Sequence, residues 1–202
     1  MKKIYLFILV TICVATSQAQ SISLLGYGGA LTGSRVYPVS GDYRVKGDWS
    51  YGAALEFEVP FGSVTLGWSG QQTTLVKEGS FSATSKISDL NVNYYQLGFN
   101  KDLSDGAVRP HTIFSLGAAQ FNPTGEHNLT GDKWFFAATF GLGLKADINE
   151  KVGLRIQAKG NMPLEMGGAG IFCTSGGCAP NLYFNPILFQ GEFTLGLAIK
   201  LK

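Results

Sequence analysis

The 202-residue sequence is short of charge: Asp, Glu, Lys and Arg make up 15% of it, against roughly 25% in ordinary soluble proteins. So few Lys and Arg exclude a nucleic-acid binder, which needs a basic face to neutralise phosphates. There are two histidines and three cysteines; Cys173 and Cys178 are spaced C-x4-C, but no second Cys pair or His pair lies nearby to complete a zinc site. After the first twenty residues, no apolar run reaches the roughly 18 residues of a transmembrane helix. Glycine is abundant at 27, and the 14 Phe and 8 Tyr add a large aromatic complement. So much glycine disfavours a helix bundle, since each glycine costs about 1 kcal/mol in a helix interior. The apolar content excludes a disordered chain.

Lys2 and Lys3 precede an almost unbroken apolar run from Ile4 to Ala15, followed by Ser17-Gln18-Ala19. This is the pattern of a secretory signal peptide over 1–19, cleaved after Ala19. The alternatives are a lipid-modified Cys13, disfavoured by the bulky Ile12 before it, and a buried N-terminal helix. The leader holds two of the 16 basic residues and none of the 14 acidic ones, so 14 of each sign remain. Cys173 and Cys178, flanking Thr-Ser-Gly-Gly, are the remaining cysteines. In an oxidising compartment they are expected to form a local disulfide.

Beyond the leader, hydrophobicity alternates with period two. Trp49, Tyr51, Ala53, Leu55, Phe57 and Val59 interleave with Ser50, Gly52, Ala54, Glu56 and Glu58. Residues 134–148 and 187–201 do the same. Such alternation predicts strands with one apolar and one small or polar face. Eight segments qualify, near 22–31, 48–59, 63–73, 90–102, 108–121, 134–148, 151–161 and 187–201. Their connections alternate between long loops and short turns such as Ser104-Asp105-Gly106 and Asn149-Glu150.

The predicted fold is all-β: one domain over 20–202, an eight-stranded antiparallel up-and-down barrel with long loops at one end. Closure removes the two edges that a flat sheet would expose. The Ser, Gly, Thr, Gln, Glu, Lys and Arg face cannot make an apolar core. The large apolar face must therefore look outward into lipid, and strands of this length suffice to cross it. Trp49, Phe61, Tyr94, Tyr95, Trp134 and Phe189 are expected to form interfacial girdles.

The pattern resembles the small outer-membrane β-barrels of Gram-negative bacteria, the OmpA, OmpX and OmpW-like group. Two stretches carry the likeness: Arg109-Pro110-His111, and Phe140-Gly141-Leu142-Gly143-Leu144-Lys145 leading to Val152-Gly153-Leu154-Arg155. Thr194, Gly196, Ile199 and Leu201 resemble the C-terminal signal read by the barrel-assembly machinery, although aliphatic residues replace the aromatics and Lys202 ends the chain. The resemblance implies residence in the cell outer membrane, outer-membrane lipid as surroundings, short turns on the periplasmic side and long loops outside.

Glu56, Glu58, Arg109, His111, Lys145, Asp147 and Arg155 then fall near the short turns, with Lys101 alongside and Glu192 nearer the middle. Together they are expected to form a charge network in the lumen, since charges in a narrow lumen must pair. No nucleophile elbow, paired-acid motif or metal-spaced histidine occurs, so no enzyme, cofactor or metal is expected. Three functions remain in play. One is an envelope structural or surface-interaction protein with a charge-plugged lumen and a possible extracellular ligand at the long loops. The others are a small pore or conduit for ions or for small or apolar solutes, and a secreted soluble β-barrel binding protein.

Overall fold

The computed structural model describes residues 21–36, 43–60, 62–78, 84–124, 132–174 and 177–201; the side chains of Glu78, Thr84 and 166–185 lie outside that description. The leader 1–19, Phe61 and the Cys173 and Cys178 side chains therefore lie outside the described residues.

Among the described residues there are eleven strands, all antiparallel to their neighbours: β1 (Ser21–Leu31), β2 (Ser34–Arg35), β3 (Tyr43–Val45), β4 (Asp48–Val59), β5 (Gly62–Glu78), β6 (Thr84–Asp102), β7 (Val108–Thr124), β8 (Lys133–Asp147), β9 (Val152–Thr174), β10 (Gly177–Pro186) and β11 (Gln190–Lys200). Eight of them close a barrel in the order β1, β4, β5, β6, β7, β8, β9, β11. Closure is made by β1 and β11, which pair from Ser23–Lys200 to Leu31–Glu192. With no barrel edge left, every wall strand finds ladder partners on both sides.

Side-chain parity follows the sequence pattern. On β4, Trp49 and Tyr51 are exposed while Ser50, Ala54 and Glu56 are buried. On β11, Glu192, Thr194 and Ala198 are buried between exposed Phe193, Leu195, Leu197 and Ile199. The exterior is thus a continuous apolar belt and the interior is mostly polar, the inverse of a soluble barrel. Short turns follow β4, β6 and β8 at the end where β1 starts and β11 stops. Gly62 (φ +144°) and Gly106 (φ +149°) supply backbone that side-chain-bearing residues rarely adopt. Asn149 Oδ1 closes the third turn by accepting the N–H groups of Lys151 (2.9 Å) and Val152 (2.8 Å).

At the other end, the expected loops contain more strand than the sequence suggests. The segment 74–89 continues β5 and β6 as a ladder, with a bulge between Leu75 and Val76. The segment 32–47 holds β2 and β3, and β3 docks on β5 through Val45–Leu75. The segment 162–186 is largely the β9–β10 hairpin, in which Cys178 stands opposite Cys173 in the backbone register. The bulge and the polar outer face of these extensions interrupt the period-two alternation although the ladder persists.

Candidate functional site: the barrel lumen

The lumen is filled in three layers. The first lies at the short-turn end, where inward positions of β4, β5, β6, β8 and β9 converge. Lys145, 1% exposed, donates to Glu56 and to Ser63 Oγ (3.1 Å) and sits 3.2 Å from Asp102 Oδ1. Ser63 Oγ also donates to Glu56 Oε1 at 2.6 Å. Arg155 Nε is 3.6 Å from Glu56 Oε2, and its Nη1 is 3.9 Å from Asp147 Oδ1. Nearer the rim, Arg109 bridges Asp147 (2.8 Å) and Asp102 (3.5 Å), and Lys200 reaches Asp147 at 3.4 Å. His111 is buried on the same level, its ring lying where a Cβ on Gly143 would stand.

The second layer is polar and sits mid-barrel. Glu192 takes Lys159 at 3.1 Å, the Asn161 amide at 2.9 Å and the Ser50 hydroxyl at 3.1 Å. Thr139 donates to Asn161 Oδ1 at 2.6 Å, and Tyr94 donates to Gln190 Oε1 at 2.8 Å. Lys159 also lies 4.8 Å from the Tyr27 ring centroid, a cation–π contact. A cavity of about 50 Å³ separates the two layers, lined by Thr65, Asn100, Ser115, Gln157 and Lys159 among others.

The third layer, at the loop end, is apolar. Val45, Leu90, Val92, Tyr94, Ala119, Phe121, Ala137 and Leu188 pack as one cluster, with Val36, Leu75 and Phe135 against it. Here the inward face departs from the expected Ser/Gly/Thr pattern. Leu90, Val92 and Tyr94 share the parity of Gln96, Asn100 and Asp102 on β6, so one strand face turns from ionic to apolar along its length.

The expected charged residues thus occupy different places. Glu56, Arg109, Lys145, Asp147 and Arg155 meet in the ionic layer, and His111 is buried beside them. Glu58 stands apart at the rim, half-buried, accepting from Ser21 Oγ at 2.6 Å. Glu192 belongs to the middle layer with Lys159. Asp102, Lys159 and Lys200 also join these layers, each on the inward parity of its strand. Lys101 takes the outward parity and is exposed, because Asp102 takes the inward one. Tyr94 is no girdle residue: it is 1% exposed and points inward, while Tyr95 faces out. Thr194 and Gly196 face the lumen, Ile199 and Leu201 face outward, and the Leu201 N–H closes on Ile22 O at 2.7 Å. Among the described residues, no group of three or more His, Cys, Asp or Glu is placed to hold a metal ion.

No family model matches the sequence, and no curated protein matches it. Solved structures do match. Neisserial surface protein A is 10% identical with a TM-score of 0.61, the likeness covering 90% of this chain and 97% of that one. The outer membrane protein AlkL, solved in DMPC lipid bilayers, is 14% identical with a TM-score of 0.55, covering 91% and 92%. OprG, an outer membrane protein of Pseudomonas aeruginosa, is 12% identical with a TM-score of 0.54, covering 91% and 97%. At such identities the likeness establishes the fold, which is that of the eight-stranded outer-membrane barrels.

Proposed function

Given that fold and a belt of exposed apolar side chains around the wall, we propose that this chain is an integral, non-enzymatic protein of the outer membrane. Its lumen is a closed plug, and its role is structural or one of surface interaction. One observation carries the reading: ionic, polar and apolar layers succeed one another along the lumen axis. Eight strands enclose a space that side chains can fill, and the cavity of about 50 Å³ seen among the described residues beside Thr65, Asn100 and Gln157 has room for only a few waters. The buried charges pair within the plug, which offsets the desolvation of each.

Binding then falls to the segments at the loop end, displayed on a rigid wall. The β9–β10 hairpin is among them, and a Cys173–Cys178 disulfide would fasten its tip. Thr194, Gly196, Ile199 and Leu201 are the residues proposed to be read by the barrel-assembly machinery. The apolar belt argues against a secreted soluble barrel, since exposed apolar patches on soluble monomers rarely exceed a few hundred Å².

Planar-bilayer recording separates this reading from a pore. The purified, folded protein is expected to leave the bilayer silent; discrete conductance steps would overturn the closed lumen and favour passage of ions or small solutes.

A further inference from the structure

The outer wall is not uniform around its circumference. On β6 the outward apolar residues are Tyr95, Leu97 and Phe99, bounded by Asn93 on one side and Lys101 on the other. At about 3.4 Å per residue and a tilt near 40°, those bounds stand only ~20 Å apart across the membrane. On β11 the exposed apolar positions run from Phe193 to Leu201 and continue at Phe189 just before the strand, spanning ~30 Å on the same reckoning. On the β5–β7 side, amides therefore replace the upper part of the belt.

Those amides form a cluster. Cross-strand register aligns Gln72, Asn91 and Asn122 in one outward row, and Trp49 follows the last β4–β5 pair, Ser50–Gln71, on that flank. The next row holds Tyr51, Gly70, Asn93, Gln120 and Trp134. The row below holds Trp68, Tyr95 and Phe136. Five amide side chains are thus framed by aromatic rings on both flanks and beneath. Tyr51 packs edge-on to Trp68 at 5.6 Å, and Tyr95 stacks on Trp134 at 5.8 Å. Trp68 Nε1 donates to Asn93 Oδ1 at 3.3 Å, which ties the frame to the amides. Gly70 lets the frame close over the wall, since a Cβ there would stand 3.1 Å from both Asn93 Oδ1 and the Trp68 ring.

We propose that this patch, which lies above the apolar belt, binds the sugars that extend outward beyond the acylated disaccharide of a glycolipid in the outer leaflet. Each primary amide offers two donors and an acceptor, which suits the paired hydroxyls of a sugar. Aromatic faces pack against the C–H surfaces of the ring while their polar edges stay wet. Asp132 accepts from the Gln120 amide at 2.8 Å and puts a carboxylate at the edge of the patch, which repels phosphate and favours hydroxyls. Its orientation decides the source. It looks sideways from the wall and is continuous with the lipid-facing belt, so the molecules beside it are neighbouring lipids with their headgroups at that height. A soluble glycan approaching from the medium meets the loop end first.

The test compares binding of the folded barrel in phospholipid nanodiscs to rough lipopolysaccharide, to lipid A without sugars beyond its own disaccharide, and to free core oligosaccharide. Intact lipopolysaccharide is expected to bind at least tenfold more tightly than either of the others. The triple variant N91A/Q120A/N122A is expected to lose that advantage while keeping its unfolding temperature in phospholipid alone. Equal binding of lipid A, equal binding of the free oligosaccharide, or an unaffected variant would each overturn the proposal. Should the variant fail to fold, saturation transfer from Trp and Tyr ring protons to the sugar protons in the wild-type protein decides, and its absence contradicts the proposal. None of these readouts depends on whether the lumen conducts.

Discussion

Glu56 is the residue on which the ionic layer turns. It accepts from Ser63 and Lys145 and faces Arg155, all of them buried. Removing one partner of a buried ion pair costs more than the pair itself contributes, because the survivor is left desolvated. Replacing Arg155 with Ala leaves Glu56 still held by Lys145, so a loss of about 3 kcal/mol is expected, at the low end for such changes. Glu56→Gln strips the carboxylate from both Lys145 and Arg155 and is expected to cost more. Urea midpoints in detergent check the order, with both variants still assembling; an unchanged midpoint for Arg155→Ala would remove the network from the account. Gly143→Ala probes the same level by crowding. Its Cβ would meet the His111 ring at 2.4 Å and the Ile156 carbonyl oxygen at 2.9 Å. A loss of about 1–3 kcal/mol is expected, read by the same titration. Parity explains what the sequence made visible at this scale. Asn100 and Asp102 share a face, so Tyr94 and Asp102 turn inward and Tyr95 and Lys101 outward. The adjacent aromatics Tyr94 and Tyr95 hide that assignment, and so do the adjacent charges Lys101 and Asp102, unless the strand is followed residue by residue.

The strands themselves were the most legible elements. Period-two alternation places β4 over residues 48–59 both in the sequence pattern and in the structure, because each of its side chains meets either lipid or lumen. The extensions of β5, β6 and β9 were illegible, since above the belt the outer face is not compelled to be apolar. The apolar layer of the lumen was hidden for a related reason: Val45 reaches it from a connecting segment that alternation does not mark, and Leu188 from the face of 187–201 that is otherwise small or polar. The seam between β1 and β11 is the element most sensitive to substitution. A Cβ on Gly29 would fall 1.9 Å from the Phe193 carbonyl oxygen, a backbone clash that no rotamer relieves. Gly29→Ala is therefore expected to yield little folded barrel, seen as loss of the fast-migrating band in an unheated gel, while Gly26→Ala, whose Cβ meets nothing within 4 Å, should fold normally. Folding of both variants alike would show that the seam tolerates more than its register implies. In the β9–β10 hairpin, Cys178 stands opposite Cys173, and directly opposed antiparallel residues, with Cα atoms roughly 4.5–5.5 Å apart, are within disulfide reach. Intact mass is expected to rise by two alkyl groups only after reduction; alkylation of both thiols without reductant would exclude the bond.

The composition of the whole molecule now has a spatial explanation. Most of the large apolar side chains cover the wall, the small and amide residues make room inside, and several of the few charges pair within the lumen. The central claim is that the apolar wall is the lipid face, with the loop end at the interface. The protein carries its own reporters for it. All three tryptophans, Trp49, Trp68 and Trp134, point outward on the loop-side half of the wall. Quenching of their fluorescence by lipids brominated at different depths measures where they sit in vesicles. The structure predicts blue-shifted emission, strong quenching by bromines near the headgroups and weaker quenching by bromines near the bilayer centre. Emission typical of water with no quenching at any depth would contradict a lipid-facing wall.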